Sequence, residues 1–314
     1  MSPDITRVAI IQARPVYCDL PATIDKALSL IAQAARSGAQ LAVLGETFFS
    51  GYPAWLDCAL DYARWGHAPT KQLYARLVSN SLAIDSAAMR QLRDSAKTHG
   101  IALVFGMNER VTRGRGNRSL YNSLVMIDGD GALRNHHRKL RPTYTEQLVW
   151  AQGDGAGLRA ANTTAGRVGG LICWEHWMPH ARQALHLSGE DIHIALWPTV
   201  KPMHQIASRH YAFEGRCFVL AAGNIMTAAD FPPELQLSPE QSGAADAFLL
   251  NGGSAIIAPD GEYLVEPVFD EETIITADLD LGMIAQEQMY LDVTGHYARD
   301  DIFDFAVNRR RLDP

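Results

Sequence analysis

Residues 169–179 read Gly169-Gly-Leu-Ile-Cys173-Trp-Glu-His-Trp-Met-Pro179, an apolar run that stops at a thiol and gives way at once to polar and aromatic side chains. Residues 168–173 read as a strand and a helix is expected near 178–188, so Cys173 stands at the C-terminal end of a strand. In α/β folds, ligands and catalytic groups gather at such ends. The question raised by the stretch is what a thiol does there.

The strand-then-helix unit repeats in both directions. Upstream, the β-rich residues 6–13 precede a helix starting near Asp19, with Pro21 tolerated in its first turn. Ile24, Ala27, Leu28, Ile31, Ala34 and Ala35 recur at helical spacing, and Gly38 supplies the stop. Strands follow at 41–44, 101–105 and 120–127, and a helix over 85–98 is closed by Gly100. The turn Asp128-Gly-Asp-Gly131 folds residues 132–140 back as a hairpin. Downstream, strands at 192–197 and 217–222 flank a helix at 204–214, a hairpin over 254–265 turns at Pro259-Asp-Gly261, and a strand covers 273–279. Residues 225–250 read as a long loop. The alternation predicts an α/β protein with helices on the outer faces of its sheets.

Composition narrows the function classes. The chain has 314 residues, 47% hydrophobic and 20% charged, enough to bury a large core. No Ser/Gly-rich or Pro-rich linker and no repeat of fixed period divides it, so 1–314 is expected to form one domain. A formal net charge of −7, with basic residues clustered only at 134–141 and 309–311, argues against a nucleic-acid partner, which needs a basic surface. The first residues lack the basic-then-apolar layout of a secretory signal, and no apolar run reaches the roughly 18 residues of a membrane helix. A cytoplasmic protein without a membrane partner is expected. Cys18, Cys58, Cys173 and Cys217 are few and far apart, which predicts thiols rather than a disulfide framework.

Three readings of Cys173 compete on local composition. Free cysteine is often a buried core residue, and Cys217, within Arg-Cys-Phe-Val-Leu-Ala-Ala, fits that description well. Cys173, His176 and His180 have spacings that suit zinc ligands, although Pro179 breaks the helix that would align the two imidazoles. The third reading is a nucleophile. Thiol chemistry on a carbon electrophile also needs a base for the thiol proton and a positive group for the charge that grows on the substrate. Glu46 follows the strand 41–44, where partial burial would raise its pKa and make it a better base. Lys139 ends the hairpin strand in His136-His-Arg-Lys-Leu-Arg-Pro142, and Glu146 comes shortly after. Taken singly, a Glu after a strand and a Lys in a basic hairpin are ordinarily solvated.

Taken together, Gly45-Glu46 through Gly51-Tyr52-Pro53, Arg138-Lys139-Leu140-Arg141-Pro142-Thr143 with Glu146, and Gly170-Leu-Ile-Cys173-Trp-Glu-His176 with Pro179 resemble the three catalytic blocks of the nitrilase superfamily, in the family's order. Segments 213–219 and 295–300 also look like family segments, so the resemblance spans nearly the whole chain. Cys173-Trp-Glu-His-Trp-Met-Pro179 is similar to the true nitrilase branch; amidase and carbamoylase branches more often carry a Tyr-Asp-type sequence after the cysteine. The resemblance implies a four-layer α-β-β-α sandwich that pairs into a homodimer or higher homo-oligomer, with no metal and no organic cofactor. It implies Cys173 as the nucleophile on a nitrile carbon, Glu46 as general base and acid, and Lys139, with the backbone N–H of Trp174, as stabiliser of the tetrahedral species. Glu146 would orient Lys139 or assist proton transfer.

Two departures from the family pattern bear on substrate preference: Tyr144 stands where many nitrilases have His, and Gly45 where many have Pro. The tail from about 297 is short beside those of nitrilases that build helical assemblies. Tyr52, Trp174, Trp177 and Trp197, with Trp55, His67 and Met203 nearby, are candidates to line a partly aromatic site for a small-molecule nitrile. The expected activity is hydrolysis of a nitrile to the acid and ammonia. An amidase or cyanide-processing hydrolase of the same fold is the alternative, and a catalytically silent scaffold a third.

Overall fold

A computed structural model describes residues 5–239 and 245–312. Among them, the first half of the chain supplies β1 (Ile5–Gln12), β2 (Leu41–Phe49), β3 (Ala102–Arg110), β4 (Leu120–Ile127) and β5 (Leu133–Arg138). The second half supplies β6 (Ala161–Thr163), β7 (Gly166–Ile172), β8 (Ile192–Leu196), β9 (Phe218–Ala222), β10 (Ile225–Thr227), β11 (Phe248–Ile257), β12 (Tyr263–Phe269) and β13 (Thr273–Asp280). Two sheets result. One runs β13-β1-β2-β3-β4-β5; the other runs β10-β11-β9-β8-β7-β6, with β12 paired to β11. The strand triplets β1-β2-β3 and β7-β8-β9 are parallel, and antiparallel strands extend both sheets.

Strand periodicity explains why the sheets stack. In β1, Val8 and Ile10 join the cluster between the two sheets, while Ala9 and Ile11 join the cluster under the helices. In β2, Leu41 and Val43 point the first way and Ala42 and Leu44 the second. Both faces are therefore dry, which is why these strands read as unbroken apolar runs rather than as alternations. Helices α1 (Leu20–Arg36) and α4 (Ala87–His99) cover the outer face of the first sheet through Ile24, Ala27, Ile31, Met89 and Leu92. Between α1 and α4 in the chain lie the single-turn α2 (Trp55–Cys58) and the longer α3 (Ala68–Ser79); on the other side, α5 (Pro179–His186) and α6 (Pro202–Gly215) cover the second sheet through Ala184, Leu185 and Tyr211. The result is the α-β-β-α sandwich.

Local signals set the helix ends. The Asp19 carboxylate accepts from the Ala22 N–H at 3.0 Å, which satisfies one orphan donor of α1. Ser86 caps α4 in the same way at 3.1 Å, and Gly100 closes it with φ +61°.

The structure amends several boundaries. Cys173 is not the last residue of its strand but the first of a 3-10 turn over Cys173–Trp177. Glu46 lies inside β2 rather than after it. The loop expected over 225–250 holds β10, which pairs with the start of β11; its residues 240–244 lie outside the described residues. The C-terminal segment lies back on the body: Phe305 and Val307 pack against the core, Arg311 meets Asp154 at 3.2 Å, and the Leu312 N–H donates to Asp154 at 3.0 Å. Among the described residues, no helix is long and apolar enough to cross a membrane.

Candidate active site

Glu46 is presented by an irregularity in β2. The strand pairs with β3 through Leu44 and Phe105 and then again only at Phe49 and Met107, with Thr47 between them at φ +48°. Gly106 of β3 makes room for the bulge, since a Cβ there would come within 2.3 Å of the Thr47 nitrogen. The Glu46 carbonyl accepts from Asn224 Nδ2 at 2.7 Å, and Gly45 leaves space for that amide: a Cβ on Gly45 would meet Asn224 Oδ1 at 2.5 Å. Gly45, the departure from the family's proline, thus has a local partner.

Lys139 continues β5 past its last strand residue. Its N–H donates to the Asn122 carbonyl at 2.8 Å, and its own carbonyl accepts from the Gly153 N–H at 2.9 Å. Its side chain, 1% exposed, turns inward. Nζ lies 2.6 Å from Glu146 Oε2 and 3.5 Å from Glu46 Oε1. Glu146 sits on the 3-10 turn Tyr144–Leu148, and its carboxylate also accepts from the Thr143 N–H at 2.7 Å and the Tyr52 hydroxyl at 2.9 Å. Asn122 Nδ2 donates to Glu46 Oε1 at 2.6 Å.

Cys173 arrives from the second sheet with φ +52°, a left-handed backbone that is strained for a side chain other than glycine or asparagine. Glu175 holds the turn in place: one carboxylate oxygen accepts from the Ile172 N–H at 2.8 Å and the other from the Leu140 N–H at 2.7 Å, with His137 Nε2 at 2.9 Å. The residue before the thiol and the residue after Lys139 thus share one buried carboxylate. Sγ and oxygens of Glu46 and Glu146 lie within 4.8 Å of one another.

The electrostatics follow from this packing. Burial pushes the Glu46 carboxyl up to about 7, and the charge of Glu146 adds to the rise, while Lys139 and Asn122 pull it back. Burial alone would lower the Lys139 pKa, but the facing acidic groups win and keep it an ammonium. Burial, with the two carboxylates, drives the Cys173 thiol well above its usual range against the pull of Lys139 and the Trp174 N–H. The resting sulfur therefore carries its proton, and attack requires an acceptor for it. Glu46 Oε2 is buried, has no hydrogen-bond partner among the described residues, and belongs to a carboxyl poised near neutrality.

A cavity of about 480 Å³ opens onto this group, with Cys173, Glu146, Tyr52 and Thr143 among its walls and Asp57, Lys201 and His204 also lining it. Trp174 and the 85% exposed Tyr144 line it too. Trp177 and Trp197 do not: Trp177 meets Trp174 and Trp197 edge to face, and Trp197 is fully buried between His176 and His204. Trp55, His67 and Met203 also stand apart from the cavity. The zinc arrangement is not assembled. Both His176 ring nitrogens are engaged, by the Cys173 carbonyl at 2.7 Å and by His193 at 3.0 Å, and His180 stacks on Phe305. Glu46, Glu146 and Cys173 have the spacing of metal ligands, yet the Lys139 ammonium already pairs with both carboxylates, and a cation would have to compete with it.

Residues 7–288 match the carbon-nitrogen hydrolase family. The chain belongs to that family. An aliphatic nitrilase of Sinorhizobium fredii (strain HH103) is 37% identical over 96% of this chain and 95% of its own length. A bifunctional nitrilase/nitrile hydratase of Nicotiana tabacum is 34% identical over 98% of this chain and 87% of its own. The crystal structure of a carbon-nitrogen hydrolase from Helicobacter pylori G27 superposes with a TM-score of 0.68 at 19% identity, over 95% of this chain and 97% of that one, and shares the fold.

The site of this carbon-nitrogen hydrolase also holds residues that no local motif marks. Asn122 is a polar residue inside the apolar run 120–127, and Asn224 follows the buried strand β9; a buried amide in such a run is a signal in itself, because it must find partners. Glu175 stands two residues after the thiol, but nothing local in the sequence reveals that it reaches Leu140.

Proposed function

We propose that the protein is a nitrilase that converts an organic nitrile to its carboxylic acid and ammonia. The observation that carries this reading is the clustering, behind the Cys173 and Glu146 wall of one cavity, of a protonated thiol, a carboxyl poised near pH 7 with a free oxygen, and a buried ammonium. Cys173 attacks the nitrile carbon as its proton passes to Glu46 and on to the substrate nitrogen, giving a covalent thioimidate. Lys139 and the Trp174 N–H stabilise the charge that develops, and Glu146, held by Thr143 and Tyr52, fixes Lys139. Water activated by Glu46 adds to the thioimidate, ammonia leaves, and a second water releases the acid from the thioester. Tyr52 and Trp174 are the substrate contacts this geometry favours.

The same reading extends to the setting: one catalytic unit over 1–314, a cytoplasmic location and a homo-oligomer. Ammonia and acid release should be measured on paired nitriles and amides for the natural protein and Cys173→Ala. Nitrile turnover lost in the variant supports the proposal. Amide turnover with inert nitriles would make the protein an amidase. Light scattering at the monomer mass would refute the assembly.

A further inference from the structure

A line of buried polar groups leads away from the catalytic turn through residues that do not line the cavity. His176 Nδ1 meets the Cys173 carbonyl at 2.7 Å, His176 Nε2 meets His193 Nε2 at 3.0 Å, and His193 Nδ1 meets Glu190 Oε2 at 2.9 Å. The other Glu190 oxygen accepts from the Tyr211 hydroxyl. His176, His193, Glu190 and Tyr211 are all buried, and His193 stacks on Tyr211 at 3.6 Å between centroids.

Donor and acceptor matching orients the line. A carbonyl only accepts, so His176 Nδ1 carries hydrogen. Burial, with His193 beside it, keeps the His176 pKa far below its ordinary value, so the ring is neutral and its Nε2 accepts. His193 Nε2 must then donate. Its Nδ1 faces a carboxylate that, despite burial, the surrounding imidazoles bring down to about 2. The hydrogen bonds thus run from the buried Glu190 carboxylate through His193 and His176 to the Cys173 carbonyl.

That carbonyl belongs to the peptide whose N–H is Trp174's. The same N–H pulls the Cys173 thiol pKa down, against the larger effect of burial, and is the donor proposed above for the charge that develops on the substrate. A hydrogen bond to one end of a peptide group polarises the other, and chained bonds strengthen one another by roughly 10–30% each. We infer that Glu190, His193 and His176 form a positioning and polarising relay that fixes the strained Cys173 backbone and strengthens the Trp174 N–H as a donor to the reacting centre. The inference rests on the nitrilase reading for its catalytic consequence, but not for its effect on the thiol. None of the three residues lines the cavity, so their effect should fall on kcat and spare KM.

The test uses His176→Ala, His176→Asn, whose amide keeps an N–H near the Nδ1 position, and Glu190→Gln. Two readouts are needed: kcat and KM for a nitrile, per Cys173 thiol titrated, and the rate of Cys173 alkylation by iodoacetamide at fixed pH, followed on its peptide by mass. Expected is a loss of about 100-fold in kcat for His176→Ala, most of it restored in His176→Asn, and about 10-fold for Glu190→Gln, all with KM within about 3-fold. Alkylation should slow in the same order. An alanine variant with natural kcat per thiol, an asparagine variant no better than alanine, or losses confined to KM would overturn the relay. If the natural protein hydrolyses neither nitriles nor amides, the functional reading fails while alkylation still decides the relay. If His176→Ala does not fold, the other two variants decide, and failure of all three to fold would assign these residues to stability alone.

Discussion

Asn122 binds one oxygen of Glu46 at 2.6 Å and leaves the other without a partner among the described residues. The amide holds the carboxylate in place and helps to keep it ionised, while the free oxygen is the one left to take a proton. Removing the amide should therefore raise the Glu46 pKa above about 7. Because the base must be unprotonated before attack, the acidic limb of the kcat/KM profile should move to higher pH in Asn122→Ala. Activity at pH 7 should fall roughly 10-fold. A profile with an unmoved limb would remove Asn122 from this role.

Glu46 itself is a case of function set against stability. Its folded pKa is raised, from 4.5 to about 7, so its contribution to stability is intact below its unfolded pKa and is lost as pH rises through 7. Above that, the buried carboxylate costs stability, by an amount on the order of 3 kcal/mol at full effect. Glu46→Gln removes this charge while Lys139 keeps Glu146 at 2.6 Å. The variant should be inactive, yet no less stable than the natural protein in denaturant at pH 8. A marked loss of stability there would show that Glu46 is needed for folding.

Trp174 and Trp177 lie on the same 3-10 turn and in edge-to-face contact, 5.3 Å between centroids, but only Trp174 lines the cavity. Trp174→Ala should raise KM several-fold for bulky or aromatic nitriles and less for small ones. Trp177→Ala should leave KM within about 2-fold, since a single apolar contact is worth 10–200-fold only where it touches substrate. Equal effects on KM would place the substrate elsewhere.

How far the chain could be read in advance follows from the range of each signal. The Asp19 cap, the Gly100 stop and the double-sided burial of strands such as 41–44 are local, and they were legible. Helix α3 was not, because among its described side chains only Leu73 and Leu77 are buried, too few to mark an apolar stripe. Glu46, Lys139 and Cys173 were visible as unusual residues at strand ends, and family resemblance linked them. Their meeting point is a property of two stacked sheets that no spacing encodes. Trp197 looked like a pocket residue for the same reason: its position one residue past β8 says nothing of which face it packs on.

Glu175 joins both halves of the site, and its chemistry makes it hard to replace. Its two oxygens accept from two different backbone donors, Ile172 N–H and Leu140 N–H. Glutamine has one oxygen, so Glu175→Gln would set an NH₂ against one of these buried N–H groups. An unsatisfied buried donor costs about 1–3 kcal/mol, and a loss of that size is expected in the unfolding free energy from denaturant titration. The pH dependence gives a second sign. Burial would raise the Glu175 pKa, but His137 and the two N–H groups overcome it and hold it low. Its stabilisation is thus present above the unfolded carboxylate value of about 4.3 and is lost as pH falls through the depressed folded value. The variant should accordingly lose less stability between pH 5 and 3 than the natural protein. Since Ile172 precedes the thiol and Leu140 follows the ammonium, kcat should fall with KM little changed. A variant that keeps natural kcat would mean that the turn and the strand hold their geometry without their shared carboxylate.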